Sequence, residues 1–135
     1  MEINGNNYKI IKSPKSLSQK YFHTCLNNGM EFFVVVDENK ADISGCTISV
    51  KTGCNNDQGN YYGTAHFVEH MLFMGSEKYP DENIFTEFIS NNGGFTNAFT
   101  SDDRTVFYYI ISQDKFIDSL DIFTEFFINP LFKQD

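Results

Sequence analysis

The chain is short of positive charge, cysteine, tryptophan and long apolar runs. Against 18 acidic residues it sets 10 Lys and Arg, a formal net charge of -8. A nucleic-acid binder needs a basic face to neutralise phosphates, so this balance argues against nucleic acid as a partner. An acidic surface suits basic peptides, although its commoner meaning is solubility. Tryptophan is absent, and the 3 cysteines, Cys25, Cys46 and Cys54, are odd in number with no Cys-x-x-Cys spacing. That is no disulfide framework, and a reducing, cytoplasmic setting is expected. The longest strongly apolar run, Phe32 to Val36, is far too short to span a bilayer, so no membrane role is expected. Residues Met1 to Ser18 contain neither an apolar stretch of the signal-peptide type nor an arginine. Neither a secretory leader nor a mitochondrial transit peptide is expected from them. There is no internal repeat, glycine-rich phosphate loop or nucleophile elbow, and Gly93-Gly94 lacks the spacing for nucleotide binding.

Histidine is scarce as well, at 3 residues, yet two of them stand at His66 and His70 within Gly63-Thr64-Ala65-His66-Phe67-Val68-Glu69-His70-Met71-Leu72-Phe73. On a helix, residues four apart share a face, so both imidazoles can reach one metal ion. Glu69 lies beside that stripe and can face a water on the ion without being a ligand. Two neutral imidazoles and a carboxylate beside a water are the parts of a hydrolytic zinc site. The order His-x-x-Glu-His reverses the commoner His-Glu-x-x-His. The competing reading is a set of solvated polar residues on an exposed helix face. Against it, Phe67, Val68 and Met71-Leu72-Phe73 are apolar, so a mostly buried helix is expected, and buried polar groups need partners. Zinc is therefore the expected cofactor, with His66 and His70 as ligands and Glu69 as the catalytic carboxylate. Cys54 precedes the motif by twelve residues and is the one other soft donor considered. His23, alone in a strand-like stretch, reads as structural or surface.

The remaining chain reads as an α+β fold, an antiparallel-rich sheet with packed helices. Met1 to Ser18 is a polar arm with a loop at Ser13-Pro14-Lys15-Ser16, and residues 19–135 form the domain proper. Tyr21 to Leu26 is a first strand, turned at Asn27-Asn28-Gly29. Met30 to Asp37 is a second strand whose unbroken Phe-Phe-Val-Val-Val run predicts burial on both faces. Ile43 to Thr52 alternates, with Ile48 and Val50 toward the core. A loop from Gly53 to Gly63 leads to the motif helix, with Thr64 as N-cap and Gly75 as terminator. A second helix starts at Tyr79-Pro80-Asp81-Glu82 and ends at Asn91-Asn92-Gly93-Gly94. Phe95 to Thr100 and Thr105 to Ile111 form an antiparallel hairpin. Lys115 to Ile128 is an amphipathic helix with Phe116, Leu120, Phe123 and Phe127 on one stripe. These phenylalanine stripes read as core.

Three blocks carry a family resemblance: Gly63 to Pro80 around the motif, Thr96-Asn97-Ala98-Phe99-Thr100-Ser101, and Phe126-Phe127-Ile128-Asn129-Pro130-Leu131-Phe132. Together they resemble the N-terminal part of the catalytic domain in pitrilysin/insulysin zinc metallopeptidases. The likeness runs from about Tyr21 to Phe132 and is nearer the insulysin branch. It implies zinc on His66 and His70, and Glu69 as the general base. It also implies an edge strand at Asn97 and Ala98 that pairs with an extended peptide substrate, and Phe73 and Phe99 lining the pocket beside the scissile bond. The family takes a third ligand, a Glu, from a later helix, and completes its site with a second homologous half. Neither is found within these residues; Glu87 and Glu125 fall on other helices. The expectation is an N-terminal fragment of a zinc metalloendopeptidase, with a complementary half or a second copy as further partners. The alternative is a truncated, non-catalytic relative that binds a peptide or a partner.

Overall fold

A computed structural model of the chain describes residues 2–3, 6–7, 9–11, 18–39 and 42–133. The predicted loop at Ser13-Pro14-Lys15-Ser16 lies outside them. Two compact units meet the eye, Met1–Ala41 and Asp42–Asp135.

In the first unit, β1 (Glu2–Ile3) pairs with β2 (Asn6–Asn7), and β3 (Lys9–Ile11), β4 (Gln19–Cys25) and β5 (Glu31–Asp37) form an antiparallel sheet in the order β3-β4-β5. Lys9–Ile11 is thus a strand inside the stretch expected to be an arm. The β4–β5 turn falls at the predicted Asn27-Asn28-Gly29: the Gly29 N–H donates to the Leu26 carbonyl at 2.9 Å, and the Met30 N–H to Asn28 Oδ1 at 3.1 Å. The predicted burial of β5 on both faces is not found. Phe32, Phe33, Val34, Val35 and Val36 are all exposed, Phe33 at 64%. The reason lies within this unit, whose described residues include no helix to cover either face of the sheet.

The second unit carries the core. Here β6 (Ile43–Val50), β7 (Phe95–Thr100) and β8 (Thr105–Ser112) form an antiparallel sheet in the order β6-β8-β7. The β7–β8 hairpin is as predicted, with Thr100 opposite Thr105 and Ala98 opposite Phe107. Alternate residues of β8, from Thr105 to Ile111, are buried, as the two-residue period of a strand requires. Over that face pack α2 (Ile84–Asn91) and α3 (Phe116–Ile128). Phe85 stacks on Phe123 at 5.4 Å between centroids and meets the Tyr109 ring edge-on at 5.5 Å, while Tyr109 meets Phe123 at 5.0 Å. Such offset and edge-to-face pairs are the favoured aromatic geometries.

Three details differ from expectation. α2 begins at Ile84 rather than at Tyr79 to Glu82, after a turn in which Asp81 Oδ1 accepts the Asn83 N–H. The buried stripe of α3 is Ser119, Ile122, Phe123 and Phe126, with Phe116, Leu120 and Phe127 half-buried at its margins. This helix is pressed by both the sheet and α2, so its buried face is wider than one row of phenylalanines. On β6, Ile48 packs against the core but Val50 is exposed, lining an open cleft. No helix among the described residues is long and apolar enough to cross a membrane.

Candidate active site

The motif helix α1 (Thr64–Leu72) is set at its N-terminus by a carboxylate that comes from the preceding loop. Gly63 is the N-cap, with φ 88°, and Thr64 is the first helical residue rather than the cap. Asp57 does the capping: its two oxygens accept the Gly63 N–H at 2.6 Å and the Ala65 N–H at 2.9 Å. A negative charge there also favours the helix dipole. The loop that carries Asp57 is itself fixed, since the Cys54 and Asn55 N–H groups donate to the carbonyls of Ser101 and Asp102 in the β7–β8 turn, each at 2.9 Å. At its far end α1 stops at Leu72, three residues before the predicted terminator Gly75, which turns the chain with φ 101°. Beyond it, Lys78 Nζ and the Tyr79 hydroxyl both donate to Asp121 Oδ2 of α3 at 2.6 Å, which holds the Asp121 carboxyl below its ordinary range.

The helix is not mostly buried, as its apolar residues had predicted. Only Ala65 and Glu69 are buried, and Phe67 is 64% exposed. At about 100° per residue, Ala65 and Glu69 share the inward face and His66 and His70 the neighbouring one. The division is chemically useful: Glu69 is 7% exposed while His66 and His70 are open to solvent. Polar groups buried in this way still need partners, and Glu69 has one. The Thr100 hydroxyl, at the end of β7, donates to Glu69 Oε2 at 2.6 Å. Thr105, opposite Thr100, gives its own proton to the Thr52 carbonyl at 2.8 Å.

His66 Nε2 and His70 Nε2 lie 3.0 Å apart, and one donor atom from each of His66, Glu69 and His70 falls within 4.8 Å of the others. Two imidazole nitrogens bound at about 2.0–2.1 Å to a tetrahedral zinc stand roughly 3.3 Å apart, so a few tenths of an ångström suffice to admit the ion. The donor set, imidazole nitrogen and carboxylate oxygen, is one that zinc accepts. No other group of three such donors exists among the described residues, and Cys54, Glu87 and Glu125 are not part of this one.

The other residues singled out in the sequence lie outside this cluster. β7 is an edge strand, so Asn97 and Ala98 lie on an open sheet margin, where the Ala98 N–H donates to the Asn97 side-chain oxygen at 2.9 Å. Phe99 is exposed on the face of β7 opposite to Thr100 and Ala98. Phe73 is half-buried among core rings, 5.6 Å from Phe126 and 5.9 Å from Phe107. His23 is on the first unit, 3.1 Å from Glu31. On another flank of α1 a cleft of about 580 Å³ is lined by Val50, Val68, Leu72 and Phe107, with Glu69 and Thr105 among its polar groups. Sequence reasoning missed Asp57 and Thr100. Asp57 carried a signal, an acidic residue in a Gly- and Asn-rich loop just before a helix; Thr100 stood within a block that carries the family resemblance, but the sequence assigned it no role.

Known proteins resemble this chain in sequence and in fold. The family model described as Insulinase (Peptidase family M16) matches residues 33–135. An insulin-degrading enzyme homolog of Dictyostelium discoideum is 42% identical over 127 residues, 94% of this chain and 13% of that protein. A relative in Schizosaccharomyces pombe, with the words zinc protease in its name, is 38% identical over 110 residues, 82% of this chain and 11% of that protein. The crystal structure of pitrilysin superposes with a TM-score of 0.86 at 31% identity, covering 93% of this chain and 14% of pitrilysin. The chain therefore spans about an eighth of the length of the curated relatives it matches. It belongs to the insulinase family of peptidases, M16, and corresponds to the N-terminal part of that family's domain.

Proposed function

We propose that these residues are part of a zinc metalloendopeptidase, in which His66 and His70 hold the ion and Glu69 moves the proton. The observation that carries this reading is the cluster on α1: two imidazole nitrogens 3.0 Å apart with a buried carboxylate beside them. A zinc ion held there supplies Lewis acidity, polarising a carbonyl and acidifying water. Glu69 accepts the proton that water loses on adding to the scissile carbonyl carbon. It then delivers that proton to the leaving amine nitrogen as the C–N bond breaks. Glu69 serves this role because it is fixed by Thr100 on one oxygen, while its other oxygen accepts no hydrogen bond among the described residues. The open margin of β7 at Asn97 and Ala98 offers backbone pairing to an extended peptide, which gives affinity with little sequence selectivity. Exposed Phe99 offers apolar contact to its side chains.

Catalytic zinc takes three protein ligands as a rule, and the described residues offer two imidazoles. We place the third ligand, and a second half that closes the site, in a longer protein to which this segment belongs. The three free cysteines suit a reducing compartment, the cytoplasm being our choice. The test is Glu69→Gln in the whole protein. Zinc content stays at the wild-type level and peptide hydrolysis is lost. Hydrolysis at the wild-type rate would remove Glu69 as the base. The non-catalytic reading, a peptide- or partner-binding module, gains only if the wild-type whole protein binds peptide without cleaving it.

A further inference from the structure

We infer that Thr100 is the positioning residue of Glu69: its hydroxyl pins Oε2 and so sets the direction in which the carboxylate faces the imidazoles. The inference rests on the role proposed above for Glu69 and assigns the geometry behind it.

A glutamate on a helix has three side-chain torsions, and a carboxylate free to sample them presents either oxygen at many angles. Here the inward face of α1 brings Glu69 against the end of β7, and Thr100 Oγ1 is 2.6 Å from Oε2. A threonine hydroxyl carries one hydrogen. The hydroxyl nearest to Thr100, that of Thr105, is 3.4 Å away and spends its own hydrogen on the Thr52 carbonyl at 2.8 Å. The Thr100 hydrogen is thus committed to Glu69, and it is the one hydrogen bond that Glu69 accepts through its side chain among the described residues. Charge-assisted O–H···O⁻ bonds of this length are among the stronger ones, so this bond fixes the orientation of the carboxylate.

The platform under Thr100 is rigid. Thr100 closes the ladder opposite Thr105, and the Ser101 N–H donates to the Arg104 carbonyl at 2.8 Å in the turn that follows. The loop at Gly53 is pressed onto this turn so closely that a Cβ there would stand 2.2 Å from the Ser101 carbonyl oxygen. Thr105 is 5% exposed. Precise catalytic side chains are commonly held by a supporting shell of this kind.

The test compares Thr100→Val, which keeps the shape and removes the hydroxyl, with Thr100→Ser, which keeps the hydroxyl, both in the whole protein. Thr100→Val lowers kcat by about 10–100-fold, the usual scale for a partner of a catalytic group, with KM and zinc content unchanged. Thr100→Ser returns kcat to within a few-fold of wild type. A crystal structure of the metal-free Thr100→Val protein shows the Glu69 carboxylate rotated from its wild-type position, a readout independent of activity. If Thr100→Val does not fold, Thr100→Ala against Thr100→Ser carries the same contrast. Wild-type kcat in Thr100→Val or Thr100→Ala, with Glu69→Gln inactive, overturns the inference and leaves the base assignment standing. Wild-type kcat in Glu69→Gln overturns both.

Discussion

Two apolar strands of similar composition meet opposite fates in this chain. β5 contains Phe32-Phe33-Val34-Val35-Val36, all of them exposed; β8 contains Val106-Phe107-Tyr108-Tyr109-Ile110-Ile111 and buries every second residue. The strands themselves do not explain the difference. In the second unit, α2 and α3 lay Phe85, Ile89, Ile122, Phe123 and Phe126 on β8. In the first unit the described residues supply strands only. Apolar burial is worth about 25 cal/mol per Å² removed from water, so the same side chains stabilise strongly in one setting and little in the other. An apolar run in a sequence reports a capacity to be buried; whether a covering layer exists is decided elsewhere in the chain. The exposed β5 face is also an association hazard of the kind that large apolar patches create.

The sharpest way to break the comparison is to remove one phenylalanine from each unit. Phe123, fully buried and touching four other rings, should cost about 3–5 kcal/mol on truncation to alanine. Phe33→Ala, at an exposed position, should stay within about 0.5 kcal/mol. Denaturant midpoints of the two variants measure both. A loss at Phe33 as large as that at Phe123 would mean that β5 is covered in solution after all.

The same contrast explains what the sequence could reveal. The β7–β8 hairpin was legible because two strand-like stretches flank a polar turn over Ser101-Asp102-Asp103-Arg104. The His66, Glu69 and His70 cluster was legible because helical spacing alone sets which side chains meet. What could not be read was burial imposed by partners distant in sequence. The apolar neighbours of the motif suggested a buried helix, but Phe67 and Val68 are exposed, and of the residues of α1 only Ala65 and Glu69 are buried. Thr100 lay beyond reach for the same reason, being 31 residues from Glu69 along the chain and hydrogen-bonded to it only once β7 lies beneath α1. Asp57 reaches across a shorter gap, and loop chemistry hinted at it.

A pair of glycines sharpens the comparison on a smaller scale. Gly53, in the second unit, has an extended backbone with φ -146°, so any residue could adopt it; what it lacks is room, with the Ser101 carbonyl oxygen 2.2 Å and the Arg104 nitrogen 2.6 Å from an added Cβ. Gly29, in the first unit, has open space around it but a φ of 84°. Gly53→Ala should therefore cost about 1–3 kcal/mol through overpacking. Gly29→Ala should cost about 1 kcal/mol through backbone strain. Asparagine separates the two causes, since it tolerates a left-handed backbone: it should soften the loss at position 29 and deepen it at position 53. Thermal melts of the four variants decide, and a milder Gly53→Asn than Gly53→Ala would show that the loop simply moves aside.

The last difference appears only in alkali. Tyr109 lies at the centre of the second unit's core, and burial pushes its phenol up to about 12, an effect that the Ser119 hydroxyl at 3.1 Å partly opposes. Its folded value is above that of an unfolded tyrosine, near 10. Below pH 10 the phenol is protonated in both states and the full contribution to stability is present. Between pH 10 and 12 the unfolded chain gives up the proton while the folded core retains it, so stability falls with rising pH. Lys78, whose ammonium is held charged chiefly by its bond to Asp121, loses stability in the same direction, so alkaline softening alone does not identify the tyrosine. Tyr109→Phe does. The variant keeps the ring contacts with Phe85 and Phe123, and Ser119 keeps its bond to the Phe116 carbonyl at 2.8 Å. Melting temperatures of wild type and variant should run parallel up to pH 10 and then diverge, the variant falling less steeply. Parallel curves up to pH 12 would mean that water reaches the Tyr109 hydroxyl, and that the core is more open than its packed rings imply.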